Sequence, residues 1–286
     1  MRYGATLMYD WLSNPDCLIG AAQLMEELGF ESLWLADHVV VPTAYSSVYP
    51  YNAQGRLSTE QFPEPLVSLA VLACATSHIE LGTGVLVLPQ RNPILLAKQV
   101  ATLDVLARGR MRLGVGVGWL REEFEALGAT FDDRGLRSDE YIDAMRELWT
   151  NAAPTFAGRY VQLEGSFELL PRPARRGGVP VVIGGHSPAA ARRAARRGDG
   201  FFPFSFDAEV LAGLYDLVRS EAKALSRSAD EIELIGPTAA TTGWIQRIED
   251  MGVTHAILPS GRSTTSFEEF KDKIRRFSDR TIDKRR

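Results

Sequence analysis

Two hydrophobic rhythms alternate along this chain. Short apolar runs occupy Tyr3–Met8, Ser32–Ala36, Ile79–Leu88, Met111–Val117, Pro180–Ile183, Gly200–Phe206, Ile232–Ile235 and His255–Leu258. They have too few polar positions for one wet face, which is the pattern of parallel strands covered on both sides. Between them, apolar residues recur at three- and four-residue spacing. The stretch after Ile79–Leu88 is the clearest example. Asn92-Pro93 supplies a capping side chain and a proline at the first helical position. Leu96, Val100, Leu103 and Ala107 then form one stripe, and Arg108-Gly109-Arg110 ends the helix before the next strand. Similar signals predict helices after Asn14-Pro15 (stripe Leu18, Ala21, Met25, Leu28) and over Pro65–Ser77, Glu122–Leu127, Arg134–Trp149 (stripe Leu136, Ile142, Met145, Leu148), Ala208–Leu225, Gly243–Met251 and Ser266–Phe277, with another opened by Gly184-Gly185-His186-Ser187.

Eight strands alternating with helical stretches predict a closed (β/α)8 barrel in one domain spanning 1–286, a fold of roughly 250 residues. Two segments break the rhythm. Val39–Phe62, after strand two, is rich in Tyr, Pro, Ser and Asn and too long for a plain connection, so it reads as a functional loop or lid. Asn151–Gly178, after strand four, reads as an insertion.

Composition narrows the function. Of the 286 residues 45% are hydrophobic and 24% charged, as in an ordinary globular protein, and a net charge of -4 gives no reason to expect nucleic acid or an anionic membrane as partner. No apolar run reaches the 18 or so residues that span a bilayer and no leader pattern opens the chain, so the expected location is the cytoplasm. Cys17 and Cys74 fall in apolar helical patterns and are expected as reduced, buried thiols, and no metal cluster is visible. The Pro65–Ser77 helix is apolar around its whole circumference. A barrel covers only one face, so the other needs the Val39–Phe62 loop or a second subunit.

In a (β/α)8 barrel the active site lies where the strands end. Strand one leads to Tyr9 and Asp10, strand two to Asp37 and His38, strand three to Thr83–Pro89 and strand four to Val117–Leu120. Asp37-His38 reads either as an acid/base pair or as two polar residues satisfying a loop. Gly184-Gly185-His186-Ser187 would aim backbone N–H groups at an anion, or simply turn the chain. Gly114, Gly116 and Gly118 do not form a dinucleotide fingerprint, because Arg121 stands where the third glycine belongs, and they read as room for a flat ring against the backbone. His78, His186 and His255 carry weaker signals, His186 being read as solvent-facing.

Taken together, Ser32-Leu-Trp-Leu-Ala-Asp-His38, Leu81-Gly-Thr-Gly-Val-Leu-Val-Leu-Pro89, Lys98-Gln99, Gly109-Arg110, Gly114-Val-Gly-Val-Gly118, Gly184-Gly185 and Gly198-Asp199-Gly200 resemble the luciferase-like monooxygenase superfamily, most closely its deazaflavin branch. The resemblance spans nearly the whole chain. It implies a homodimeric barrel oxidoreductase that uses coenzyme F420 to pass a hydride to or from a small organic molecule. An FMN-dependent monooxygenase is the alternative within the fold, and a non-catalytic flavin- or deazaflavin-binding protein the alternative from another class.

The resemblance also implies the site. His38 and Asp37 would be catalytic. Thr83, Gly84, Val85, Val117, Gly118, Gly184, Gly185, His186 and Ser187 would hold the cofactor, with a cis Gly84–Val85 peptide forming the bulge behind its ring and Gly184, Gly185 and Ser187 its phosphate loop. Arg192, Arg193, Arg196 and Arg197 would attract the cofactor's anionic tail. Sugar-phosphate dehydrogenases of the superfamily carry a glutamate after the strand-four glycine. Here that residue is Trp119, which points to a more apolar substrate pocket.

Overall fold

A computed structural model describes every residue except 53, 58–60, 240, 261–264 and 284–286. Parts of the expected lid, and the end of the chain past Asp283, thus lie outside the described residues.

The eight barrel strands are β1 (Arg2–Leu7), β2 (Ser32–Leu35), β3 in two pieces (Glu80–Thr83 and Leu86–Val87), β4 (Met111–Gly116), β5 (Val181–Gly184), β6 (Gly200–Phe202), β7 (Glu233–Pro237) and β8 (His255–Leu258). Every pairing between them is parallel. The ring closes on both sides of the chain's start, with Gly4 opposite Ser32 of β2 and Arg2 opposite His255 of β8. Leu81 opposite Met111 and Leu113 opposite Val181 carry it through β4. The helices are α1 (Pro15–Glu27), α2 (Pro65–Ala75), α3 (Pro93–Leu106), α4 (Arg121–Ala126), α5 (Arg134–Thr150), α6 (Pro188–Arg197), α7 (Ala208–Ala224), α8 (Thr242–Asp250) and α9 (Phe267–Phe277). Asn92 caps α3 as its sequence requires, accepting from the N–H groups of Ile94 and Leu95 at 3.0 Å. The segment after α5 forms a short antiparallel hairpin, Phe156–Ala157 against Gln162–Leu163.

The departures from the sequence reading are local. The Ile79–Leu88 run breaks at a cis Gly84–Val85 peptide, as the resemblance implies. The Gly200–Phe206 run stops at Phe202, because Pro203 has no N–H for the ladder. Leu136 is 64% exposed and falls off the buried stripe of α5. Both cysteines are free thiols, but Cys17 is only half-buried and Cys74 is exposed, so the expectation that they are buried fails. Apolar neighbours in a helix do not say which face turns inward when the whole circumference is apolar.

Most of the core lies between strands and helices. Inside the barrel a separate cluster packs Trp34, Val182, Phe202, Ile235 and Ile257. Trp34 explains several glycines. A Cβ at Gly82 would lie 2.3 Å from its ring and one at Gly84 2.9 Å from its Cβ, while one at Gly114 would meet the Thr83 carbonyl oxygen at 1.9 Å. These glycines make room for Trp34 and for close strand approach, which corrects the reading of Gly114 as space for a ligand ring.

Candidate functional site

At the carboxyl ends of the strands lies a cavity of about 650 Å³, within the range of small-molecule sites. Asp37, His38, Gly84, Val85, Val117, Gly118, Gly184, Gly185, His186 and Ser187 all line it. The structure thus gathers ten of the eleven expected site residues. Thr83 is the exception: it is fully buried, and its hydroxyl donates to the Gly114 carbonyl at 2.6 Å, tying β3 to β4 beneath the cavity.

The cavity floor is the bulge. Val85 wedges between the ends of β4 and β5, where a Cβ on Gly116 or Gly184 would come within 2.6 or 2.5 Å of it. These two glycines admit the Val85 side chain, so the Gly84–Val85 backbone stands up into the cavity. Gly118, at φ 81°, turns the chain out of β4 against Val87 and Phe124, a conformation that favours glycine.

At one end Gly185, with φ 114°, leads from β5 into α6. Ser187 caps that helix by accepting from Ala190 N–H at 3.2 Å, which leaves its own O–H as a donor, and the helix N-terminus adds partial positive charge beside the cavity. The arginines of α6 are a different matter. Arg193 pairs with Asp139 at 2.5 Å, Arg197 with Asp143 at 2.8 Å, and Arg192 and Arg196 share Glu221. Their charge is spent on helices α5 and α7, which removes the basis for a free positive patch on this helix.

At the other end sits His38. Its Nδ1 is 2.9 Å from Oε2 of Glu123, a residue of α4 that is 1% exposed. Burial works against the charge on Glu123, but the hydrogen bond and charge of His38 and the Val39 N–H outweigh it and hold the carboxyl below its ordinary range. The neighbouring Asp37 points elsewhere. Its Oδ1 accepts from Arg91 at 2.8 Å and its Oδ2 from Val87 N–H at 2.9 Å. Burial pushes its carboxyl up, and those two donors pull the other way. Asp37 therefore ties β2 to the second piece of β3. Sequence reasoning missed Glu123, stopping four positions short at Trp119; the adjacent pair Glu122-Glu123 at the start of a helix following a glycine-rich strand end was the available signal.

The described part of the Val39–Phe62 segment lines the cavity with aromatic rings. Phe62 and Trp119 meet His38 edge-on at 5.0 and 5.9 Å, Tyr49 packs on Trp119 at 5.1 Å, and Tyr51 meets His186 at 5.1 Å and Phe204 at 5.7 Å. His186 is exposed, as one reading of the sequence had it, and also lines the rim of the cavity, as the resemblance implies. The same segment is tied to α4. Glu122 accepts from the N–H and O–H of both Ser46 and Ser47, at 2.6 to 3.2 Å, and Glu123 accepts from Val39 and Val40 N–H. Among the described residues no cluster of His, Cys, Asp and Glu is placed to hold a metal ion, and no helix is long and apolar enough to cross a membrane.

Comparison with known proteins places this geometry. An uncharacterized protein of Mycobacterium tuberculosis is 35% identical over 84% of this chain and 83% of its own length. An F420-dependent glucose-6-phosphate dehydrogenase of Amycolatopsis mediterranei is 31% identical over 77% of this chain and 63% of that protein. A monooxygenase of Streptomyces bottropensis shares the fold over the full length of both chains, with a TM-score of 0.81 at 22% identity. The luciferase-like monooxygenase family model matches residues 4–243, and with the closed parallel barrel and its bulged third strand the chain belongs to that family.

Proposed function

We propose that this protein is an F420-dependent oxidoreductase that moves a hydride between the deazaflavin and a small, largely apolar organic molecule. The observation that carries the reading is one cavity that joins a glycine turn at the α6 N-terminus, a backbone bulge on its floor and a carboxylate-bound histidine under an aromatic lid. The similarity to F420-dependent glucose-6-phosphate dehydrogenase supports the choice of cofactor. The residues present fit such a group. Gly185, Ser187 and the first turn of α6 would hold its phosphate, and the raised Gly84–Val85 backbone would back its ring. A bound deazaflavin supplies a carbon that accepts or returns a hydride.

His38 would hold or move the proton on the substrate heteroatom, a contribution of about a hundredfold or more in rate. Asp37, fixed by Arg91, would set the position of the His38 backbone. Trp119, Tyr49, Phe62 and Tyr51 would exclude water and favour an uncharged substrate. Sugar phosphate fits poorly, since the two arginines that line the described cavity are already engaged: Arg193 with Asp139, and Arg134 with the carbonyls of Gly118 and Phe131.

Titrating the protein with F420 and with FMN at moderate salt tests the reading. Preference for F420 is expected. Preference for FMN, or hydrogen peroxide formed in step with turnover, would move the protein to the monooxygenase alternative. A second copy would cover the outer face of α2 and α3, where Val67 is 67%, Leu95 58% and Val71 43% exposed. Light scattering at micromolar concentration is expected to give a dimer.

A further inference from the structure

We infer that Glu123 is a positioning residue that dictates which ring nitrogen of His38 carries the proton, and that it does so with the same carboxylate that roots the lid. The inference rests on the reading of the cavity as a hydride-transfer site.

Glu123 is buried and surrounded by donors. Its Oε1 accepts from Val39 N–H at 2.6 Å and from Val40 N–H at 3.3 Å, and its Oε2 faces His38 Nδ1 at 2.9 Å. Both backbone N–H groups fall on Oε1, which either form of the carboxyl accepts, so the proton at Oε2 decides; against burial, the His38 contact and the Val39 N–H hold Glu123 below its ordinary range, which leaves Oε2 ionised. An ionised carboxylate has no proton to give, so the third contact requires Nδ1–H on His38. In the neutral ring the proton is then committed to Nδ1, and Nε2 is left as a bare acceptor. No described residue bonds Nε2, while the ring is held edge-on between Phe62 and Trp119 in the cavity wall.

The consequence is a direction of proton movement. A bare Nε2 would accept the proton of a substrate hydroxyl whose carbon gives up a hydride, the bound deazaflavin supplying the hydride acceptor. The C–H and O–H bonds would break, the carbonyl would form, and the resulting imidazolium would lie against Glu123. The reverse transfer starts from that imidazolium. Val39 and Val40 are the first two residues of the lid segment, so the group that sets the tautomer also fixes where the lid leaves β2.

Glu123→Gln separates positioning from simple support. The amide has one acceptor oxygen, and facing its NH₂ toward Val39 and Val40 would set donors against donors. The oxygen therefore stays with the backbone and the NH₂ turns to His38, which must present a bare Nδ1 and carry its proton on Nε2. The test is nitrogen NMR of ¹⁵N-histidine-labelled protein at about pH 9, above the ordinary histidine range, with His38 identified by the signal missing in His38→Asn. The expected result is Nδ1–H in the wild type and Nε2–H in Glu123→Gln. A wild type protonated on Nε2, or an unchanged tautomer in the variant, overturns the inference. Should the variant not fold, the wild-type tautomer decides alone. Reversed tautomers in a protein that does not bind F420 would leave Glu123 in its role and reject the hydride-transfer reading instead.

Discussion

The two ends of this barrel are built from opposite solutions to the same problem. Both must cover the open end of a ring of eight parallel strands. The amino end is closed by charge. Arg2 pairs with Glu31 at 2.8 Å, Glu80 at 2.6 Å and Glu233 at 3.1 Å, and Arg112 joins Glu80 and Glu233 from inside the ring. Below them His255 lies 3.3 Å from Glu233 by Nδ1 and 2.8 Å from Ser32 Oγ by Nε2, and Ser32 in turn accepts from Trp34. Each charge there faces an opposite one. The carboxyl end is closed by rings over a cavity, and its acid and base leave one nitrogen of His38 without a described partner. Opposite charges packed against each other plug one end, whereas rings around open space leave a cavity at the other, where the sites of this fold lie.

Removing a member of the plug gives the largest expected effect. Arg112→Ala would leave Glu80 with Arg2 and Arg175 and Glu233 with Arg2 and His255, and breaking a buried ion network in this way costs about 3–5 kcal/mol. Chemical denaturation would read this as a lowered midpoint, with affinity for F420, the proposed cofactor, unchanged in the surviving native protein. Equal loss of both would mean that the two ends are not independent. Acid should attack the same end first. Although burial raises Glu233, His255 and the two arginines bring it down to about 2 from 4.5. The stabilisation it supplies is complete above pH 4.5 and fades as pH falls toward 2. Burial also lowers His255, so its charging adds a cost once pH drops below the ordinary histidine value of 6.5.

The same contrast explains what could be read from the sequence. The barrel was legible because its strands and helices repeat at their own periods, and caps such as Asn92-Pro93 mark the joints. Ten of the eleven expected site residues reach the cavity because a barrel fixes where strand ends lie. What stayed hidden depends on contacts between distant segments. Nothing near Gly82 or Gly114 announces that Trp34, more than 40 residues earlier in the chain, fills the space beside them. Nothing in the α6 arginines shows that Asp139, Asp143 and Glu221 await them. Glu123 looks like one more acid at the start of a helix, and its role appears only when α4 is set against β2.

A smaller effect tests whether the barrel interior separates the two ends. Gly82→Ala would drive a methyl group to within 2.3 Å of the Trp34 ring, and overpacking of this kind costs about 1–3 kcal/mol. Trp34→Phe in the same chain should recover part of the loss, since the two positions are in direct contact and their effects are not additive. Equal destabilisation with and without Trp34 would show that the clash is taken up elsewhere.

The smallest expected effect on stability lies at the lid, and it separates latch from scaffold at the carboxyl end. Glu122 touches no cavity residue by its carboxylate; it holds Ser46 and Ser47, whose hydrogen bonds, the Ser47 hydroxyl foremost, keep its carboxyl at about 2. Because that value lies below the ordinary 4.5, the latch is intact above pH 4.5 and is released only as pH falls toward 2. Glu122→Gln loses the charge and one acceptor at a surface position, so the denaturation midpoint should move by no more than about 0.5 kcal/mol. Amide exchange at Ser46 and Ser47 should nevertheless quicken, because opening of a lid is governed by its few local bonds. Exchange at Val39 should stay slow, since its N–H belongs to Glu123. If Val39 and Ser46 quicken together, the lid opens as one piece from its root, and the separation between a fixed base and a movable cover fails.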